Sequence, residues 1–80
     1  MFVVYLLYST KFDSFYIGHT NDLKRRLEEH NSGKTRSTSG KAPWVVAYTE
    51  KFKTRIEAIQ RELFLKKQRN KSFYKKLSGL

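Results

Sequence analysis

Apolar residues gather in short runs separated by polar, turn-forming stretches, and the runs carry two different periods. Residues 2–8, Phe2-Val3-Val4-Tyr5-Leu6-Leu7-Tyr8, are β-branched, aromatic or leucine throughout, in a run too short for a helix. Val3, Tyr5 and Leu7 share one face and Phe2, Val4, Leu6 and Tyr8 the other. Both faces are apolar, so the run is predicted to be a central strand. Thr10-Lys11-Phe12-Asp13-Ser14 is turn-like, and a second strand over about 14–18 is predicted to return antiparallel as a hairpin, bringing Tyr5 near Tyr16.

The period then changes. Leu23 and Leu27, four apart, predict the buried stripe of a helix over about 22–31, capped by Asn21 or Thr20, with Asp22 at its positive end and a stop near Gly33. Arg26 and His30 are also four apart and share a second face, which can point into a cleft beside the sheet. Residues 32–43, SGKTRSTSGKAP, have no apolar period and are predicted to form a long loop. Trp44 to Phe52 is the third predicted strand, with Val45, Ala47 and Thr49 alternating against Val46, Tyr48 and Glu50. Thr54-Arg55-Ile56-Glu57 is a capping box that starts a second helix reaching about Lys67. In it Ile56, Ile59 and Leu63 step along one face, flanked by Ala58 and Leu65. Phe73, Leu77 and Leu80 predict a short third helix. The expected class is α+β: a small three-stranded antiparallel sheet flanked by two to three helices.

Eighty residues predict one domain, 1–80. So short a chain buries only roughly 60–65% of its unfolded surface, so most of its large apolar residues are expected in the core. Charge narrows the function. Seventeen Lys+Arg against seven Asp+Glu give +10, a field that favours polyanions, nucleic acid first among them. No cysteine is present, which excludes disulfides, thiol catalysis and Cys-ligated zinc. No apolar stretch approaches a membrane span, and no basic region precedes the first apolar run as in a signal peptide. No membrane partner and a cytoplasmic location are expected.

One set of residues points to chemistry. Tyr5 lies at the middle of the first apolar run; Phe15-Tyr16-Ile17-Gly18-His19 places another tyrosine eleven positions on; Arg26 and His30 follow on the first helix and Glu62 on the second. In this order the set resembles the GIY-YIG nuclease superfamily, and the chain is similar to a small stand-alone member akin to the N-terminal nuclease domain of the bacterial excision-repair endonuclease. The resemblance runs from Val3 to about Lys67. It implies a divalent-metal-dependent endonuclease hydrolysing DNA phosphodiester bonds, in a setting such as DNA repair. It implies that Tyr5 and Tyr16 flank the scissile phosphate, that Arg26 stabilises its charge, that His30 assists, and that Glu62 holds a single Mg²⁺ or Mn²⁺. Gly18, whose missing Cβ lets backbone pass close to a helix or phosphate, and His19 are expected at the nucleic-acid surface. The loop cations Lys34, Arg36 and Lys41 are expected to contact phosphates, or else to be a solvated connection. The first motif reads Val3-Val4-Tyr5, keeping the tyrosine. His19 stands where several relatives carry lysine, and Asn70 is the nearest match to an asparagine that some carry after the second helix.

Each residue also has a plain reading. Tyr5 and Tyr16 suit any sheet, as do Tyr8, Tyr48 and Tyr74. Arg26 can be one solvated charge among many, His30 a helix-terminal histidine, and Glu62 the partner of Lys66. The alternative functions are a catalytically weak or inactive nucleic-acid-binding module and a small basic protein docking on acidic partners or RNA. For the proton acceptor, a histidine base predicts a rate rising through about pH 6–7 and a tyrosine base one still rising above pH 8. The resemblance favours Tyr5 with His30 assisting. A monomer is expected, with a dimer as the alternative.

Overall fold

The computed structural model describes all of residues 1–80. Its strands are β1 (Phe2–Ser9), β2 (Ser14–Thr20) and β3 (Trp44–Phe52), and its helices α1 (Leu23–Asn31), α2 (Arg55–Gln68) and α3 (Lys71–Ser78). A single 3₁₀ turn, Arg36–Thr38, interrupts the loop between α1 and β3. The sheet is antiparallel in the order β2-β1-β3, which puts the doubly apolar strand in the centre.

Alternation along β1 divides the interior in two. Val4 and Leu6 join Ile17, Ala58, Leu65 and Tyr74 on the face covered by α2 and α3. Tyr5 and Leu7 join Trp44 on the opposite face, with Tyr16, Leu23, Leu27 and Ala42 packed around them. Helix α1 therefore covers the tyrosine face through its leucine stripe.

Several local expectations change. Asp22, not Asn21 or Thr20, is the N-cap of α1, its carboxylate accepting from the Arg25 amide at 3.1 Å. Thr20 still belongs to β2, and its hydroxyl accepts from the Asp22 amide instead. The capping box at Thr54 forms as expected, and α2 extends to Gln68. A bulge lies opposite Leu6 and Leu7: Leu6 faces Tyr48 but Leu7 faces Val46. Ala47 is the additional residue, so Val46 and Tyr48 point to opposite faces and the simple alternation fails there.

The apolar stripe of α2 is the larger correction. Ile56 is 68% and Leu63 52% exposed, and Ile59 and Phe64 are exposed too. Ala58 and Leu65 make the fully buried contact with the sheet. At 3.6 residues per turn, Ile56 and Leu63 fall close to half a turn from Ala58, so both sets cannot face inward. The small Ala58 lets the helix approach the sheet closely, and the bulkier residues are left outside.

Helix α3 is tied to the β1–β2 turn by Asp13. The Tyr8 hydroxyl donates to Asp13 Oδ1 at 2.7 Å, and Lys71 and Lys75 each lie 3.3 Å from its carboxylate. The Tyr8 hydrogen bond, followed by that of Lys71, pulls the Asp13 carboxyl down to about 2. A carboxyl depressed on folding stabilises above its unfolded value near 3.8 and loses that contribution as pH falls towards its folded value. Asp13→Asn should therefore melt below wild type at pH 6, with the gap shrinking between about pH 4 and pH 2. Thermal melts across that range check this, and a gap independent of pH would place the stabilisation elsewhere.

Candidate active site

On the α1 face, the hairpin and the first helix bring three rings together. In the β1–β2 register Tyr5 lies opposite Gly18 and Leu7 opposite Tyr16, so Tyr5 and Tyr16 are diagonal neighbours, 6.4 Å between ring centroids. The His30 ring comes from α1 to within 4.7 Å of Tyr16 and 5.9 Å of Tyr5. Gly18 is what makes this possible. A Cβ there would stand 2.7 Å from Tyr5 Oη and 3.2 Å from Tyr16 Cε2. The glycine thus gives room to the Tyr5 phenol, rather than to a helix or a phosphate as expected from sequence.

A buried hydrogen-bond chain orients the histidine. Tyr5 Oη lies 3.0 Å from His30 Nε2, and Thr38 Oγ1 lies 2.8 Å from His30 Nδ1. Thr38 donates its only hydroxyl proton to the Thr35 carbonyl at 3.3 Å, so it accepts from Nδ1–H. Nε2 is then the bare nitrogen and accepts from the Tyr5 hydroxyl. Burial, then the Arg26 charge, holds the His30 imidazole below its ordinary 6.5, so the neutral ring prevails at pH 7. Burial also pushes the Tyr5 hydroxyl up to about 12; Tyr16 and, more weakly, Glu62 add to this, while Arg26 opposes it. Tyr5 is 1% and His30 0% exposed, whereas Tyr16 is partly exposed.

Thr38 is the residue that sequence reasoning missed. Nothing in SGKTRSTSGKAP separates it from Thr35 or Ser37; only its burial in the 3₁₀ turn does. The loop is not a free connection. Asn31 pairs with the Trp44 backbone through both side-chain atoms, at 3.1 and 2.6 Å, the Trp44 indole donates to the Thr38 carbonyl, and Ser9 donates to the Lys41 carbonyl. Lys34, Arg36 and Lys41 remain exposed on this anchored loop.

Arg26 is partly buried. It donates to Glu29 at 2.8 Å and to Thr35 at 3.3 Å, and the Glu29 contact keeps it firmly protonated. Glu62 arrives from α2, on the other side of the sheet. It is 15% exposed, with Oε1 2.6 Å from His19 Nδ1 and Oε2 2.7 Å from Lys66 Nζ. His19 is paired with Val4 and shares the α2-covered face, so it meets Glu62 rather than lining an open surface. Asn70 caps α3, accepting from the Phe73 amide. Tyr8, Tyr48 and Tyr74 bond Asp13, Glu50 and the Leu65 carbonyl and have structural roles. Tyr5, Tyr16 and His30 are thus in contact, Arg26 and Glu62 act on Tyr5 through their charge, and the loop cations stand apart.

The family model of the GIY-YIG catalytic domain matches residues 1–77. Similar proteins include a UPF0213 protein of Bacillus licheniformis, 41% identical over an alignment of 64 residues, with 76% of this chain and 66% of the relative covered. The UPF0213 protein YazA of Bacillus subtilis is 41% identical over 58 residues, 71% of this chain and 59% of that protein. The chain thus spans about two thirds or less of the length of these two relatives. The solution NMR structure of the UPF0213 protein BH0048 from Bacillus halodurans superposes with a TM-score of 0.50 at 36% identity, covering 84% of this chain and 72% of that one. The chain belongs to the GIY-YIG family of nuclease catalytic domains. No helix is long and apolar enough to cross a membrane.

Gly18→Ala isolates the close packing at the centre of the site. The added methyl must displace the Tyr5 phenol, and an overpacked methyl typically costs about 1–3 kcal/mol. Denaturant unfolding should show a loss in that range. Wild-type stability in the variant would mean that Tyr5 moves freely.

Proposed function

From that family membership as premise, we propose that this domain is a divalent-metal-dependent endonuclease hydrolysing phosphodiester bonds in DNA. The observation that carries the reading is the proton path from Tyr5 Oη to the bare nitrogen of a neutral, buried His30, with Arg26 beside it. The net charge of +10 supports a polyanionic substrate.

The phosphate approaches over the partly exposed Tyr16 and Arg26. Water attacks phosphorus as the bond to the leaving oxygen breaks. The proton of the water passes to Tyr5 Oη while the Tyr5 proton passes to His30 Nε2, so no free phenolate is needed despite a pKa of about 12. Arg26 faces the charge that grows on the phosphoryl oxygens. The leaving oxygen takes its proton from solvent.

Glu62 suits a single hard cation. No group of three or more His, Cys, Asp or Glu side chains converges, so the donor set is one carboxylate, not a protein cage. Mg²⁺ and Mn²⁺ accept that arrangement, completing their shell with water and phosphate oxygens. The two Glu62 oxygens now face His19 and Lys66, but Lys66 is half exposed and can swing away from Oε2. Bound there, the metal would neutralise phosphoryl charge.

Glu62→Gln should lower cleavage of plasmid, single-stranded or branched DNA by on the order of a thousandfold or more, with folding and DNA affinity retained. Near-normal cutting by that variant would remove Glu62 from the chemistry. Wild-type protein that binds DNA yet cuts none of these substrates with Mg²⁺ or Mn²⁺ would favour the binding-module reading.

The pH profile tests the relay. Neutral His30 is the acceptor, and its pKa is held below 6.5, so the rate should rise through a limb below pH 6.5 and then stay flat. His30→Ala should abolish the limb. A rate still climbing above pH 8 would mean that free phenolate does the work.

A further inference from the structure

The surface carries two pockets of opposite character. One, about 430 Å³, is lined by Arg25, Glu28, Glu29, Ser32 and Lys34, so its charges largely cancel. The other, about 370 Å³, lies at the C-terminal end of α2 and is lined by Leu63, Lys66, Lys67 and Arg69, with no carboxylate. We propose that this second pocket holds a phosphate of the DNA strand neighbouring the one at Glu62. The proposal rests on the nuclease reading above and adds a contact to it.

Three observations converge. First, the pocket adjoins the candidate metal carboxylate. Lys66 lines it and also pairs with Glu62, one helical turn (~5.4 Å) away along α2. Second, Lys67 and Arg69 make no ion pair and, with Lys66, line a concave site whose walls hold no carboxylate. Unpaired cations in a concave site focus positive field onto an incoming phosphate. Third, Arg69 stands at the C-cap of α2 in the left-handed region, φ 44° and ψ 42°, where glycine is the usual residue. Its amide donates to the Tyr74 hydroxyl, which in turn donates to the Leu65 carbonyl, so buried Tyr74 fixes this turn. Lys66 and Lys67 also complement the helix dipole, but the dipole gives no reason for a long charged side chain in a backbone conformation that favours glycine. Leu63 adds an apolar wall against which a sugar can rest.

The test measures affinity for a labelled DNA duplex against salt concentration, in EDTA so that nothing is cut. Lys67→Ala/Arg69→Gly removes the pocket charges and places at residue 69 the residue that its backbone favours. Lys11→Ala/Lys76→Ala removes two exposed charges elsewhere. The pocket variant should melt no lower than wild type and show a salt slope shallower by about 0.9, the increment of one phosphate contact on a duplex. The control should keep the wild-type slope. Equal slopes in the two variants, or a wild-type slope in the pocket variant, would overturn the pocket while leaving the nuclease reading intact. Failure of the wild-type protein to bind DNA would overturn both.

Discussion

The buried hydrogen bond from Tyr5 Oη to His30 Nε2 ties the central strand to the first helix, and most of the site depends on it. Both groups are removed from water, so each would be left with an unpaired polar atom if the other moved, a loss of roughly 1–3 kcal/mol per orphaned group. The bond therefore constrains its surroundings. Gly18 must lack a Cβ for the phenol to lie where it does. Thr38 must be buried to fix the ring from the other side, and the Asn31 and Ser9 contacts hold its loop in place. The same burial that makes the contact necessary keeps His30 neutral and Tyr5 protonated, which is the pairing a proton relay needs.

Two faces of one sheet are joined at the candidate site. The tyrosines and His30 lie under α1, whereas Glu62 belongs to the helix on the opposite face. His19 bridges them in sequence, since it follows Gly18 in β2 yet points to the α2 side and grips Glu62. Glu62 therefore stands between His19 and Lys66, and Lys66 is the more exposed of the two.

Much of this was legible in the sequence because it is local. The doubly apolar run marks the central strand, Leu23 and Leu27 mark the buried side of α1, and Thr54 with Glu57 marks the start of α2. The set Tyr5, Tyr16, Arg26, His30 and Glu62 was legible only as an ordered pattern on those elements. What escaped depends on contacts between distant segments. The bulge at Ala47 is set by its pairing with β1, not by the composition of β3. The inner side of α2 is chosen by how closely Ala58 can approach the sheet, so the larger Ile56, Ile59 and Leu63 mislead. Thr38 looks like any loop hydroxyl until the 3₁₀ turn places it on His30, and the reason for Gly18 lies on the neighbouring strand, in Tyr5.

The tautomer of His30 is the most direct observable, because the relay needs Nε2 bare and Nδ1 protonated. Nitrogen-15 spectra of the imidazole rings at pH 7, with the two histidines assigned by substitution of each in turn, report it. The expected His30 signal is that of a neutral ring carrying its proton on Nδ1, with Nε2 in the range of an unprotonated acceptor. A proton on Nε2, or a charged ring at pH 7, would contradict the relay and leave Tyr5 without an acceptor.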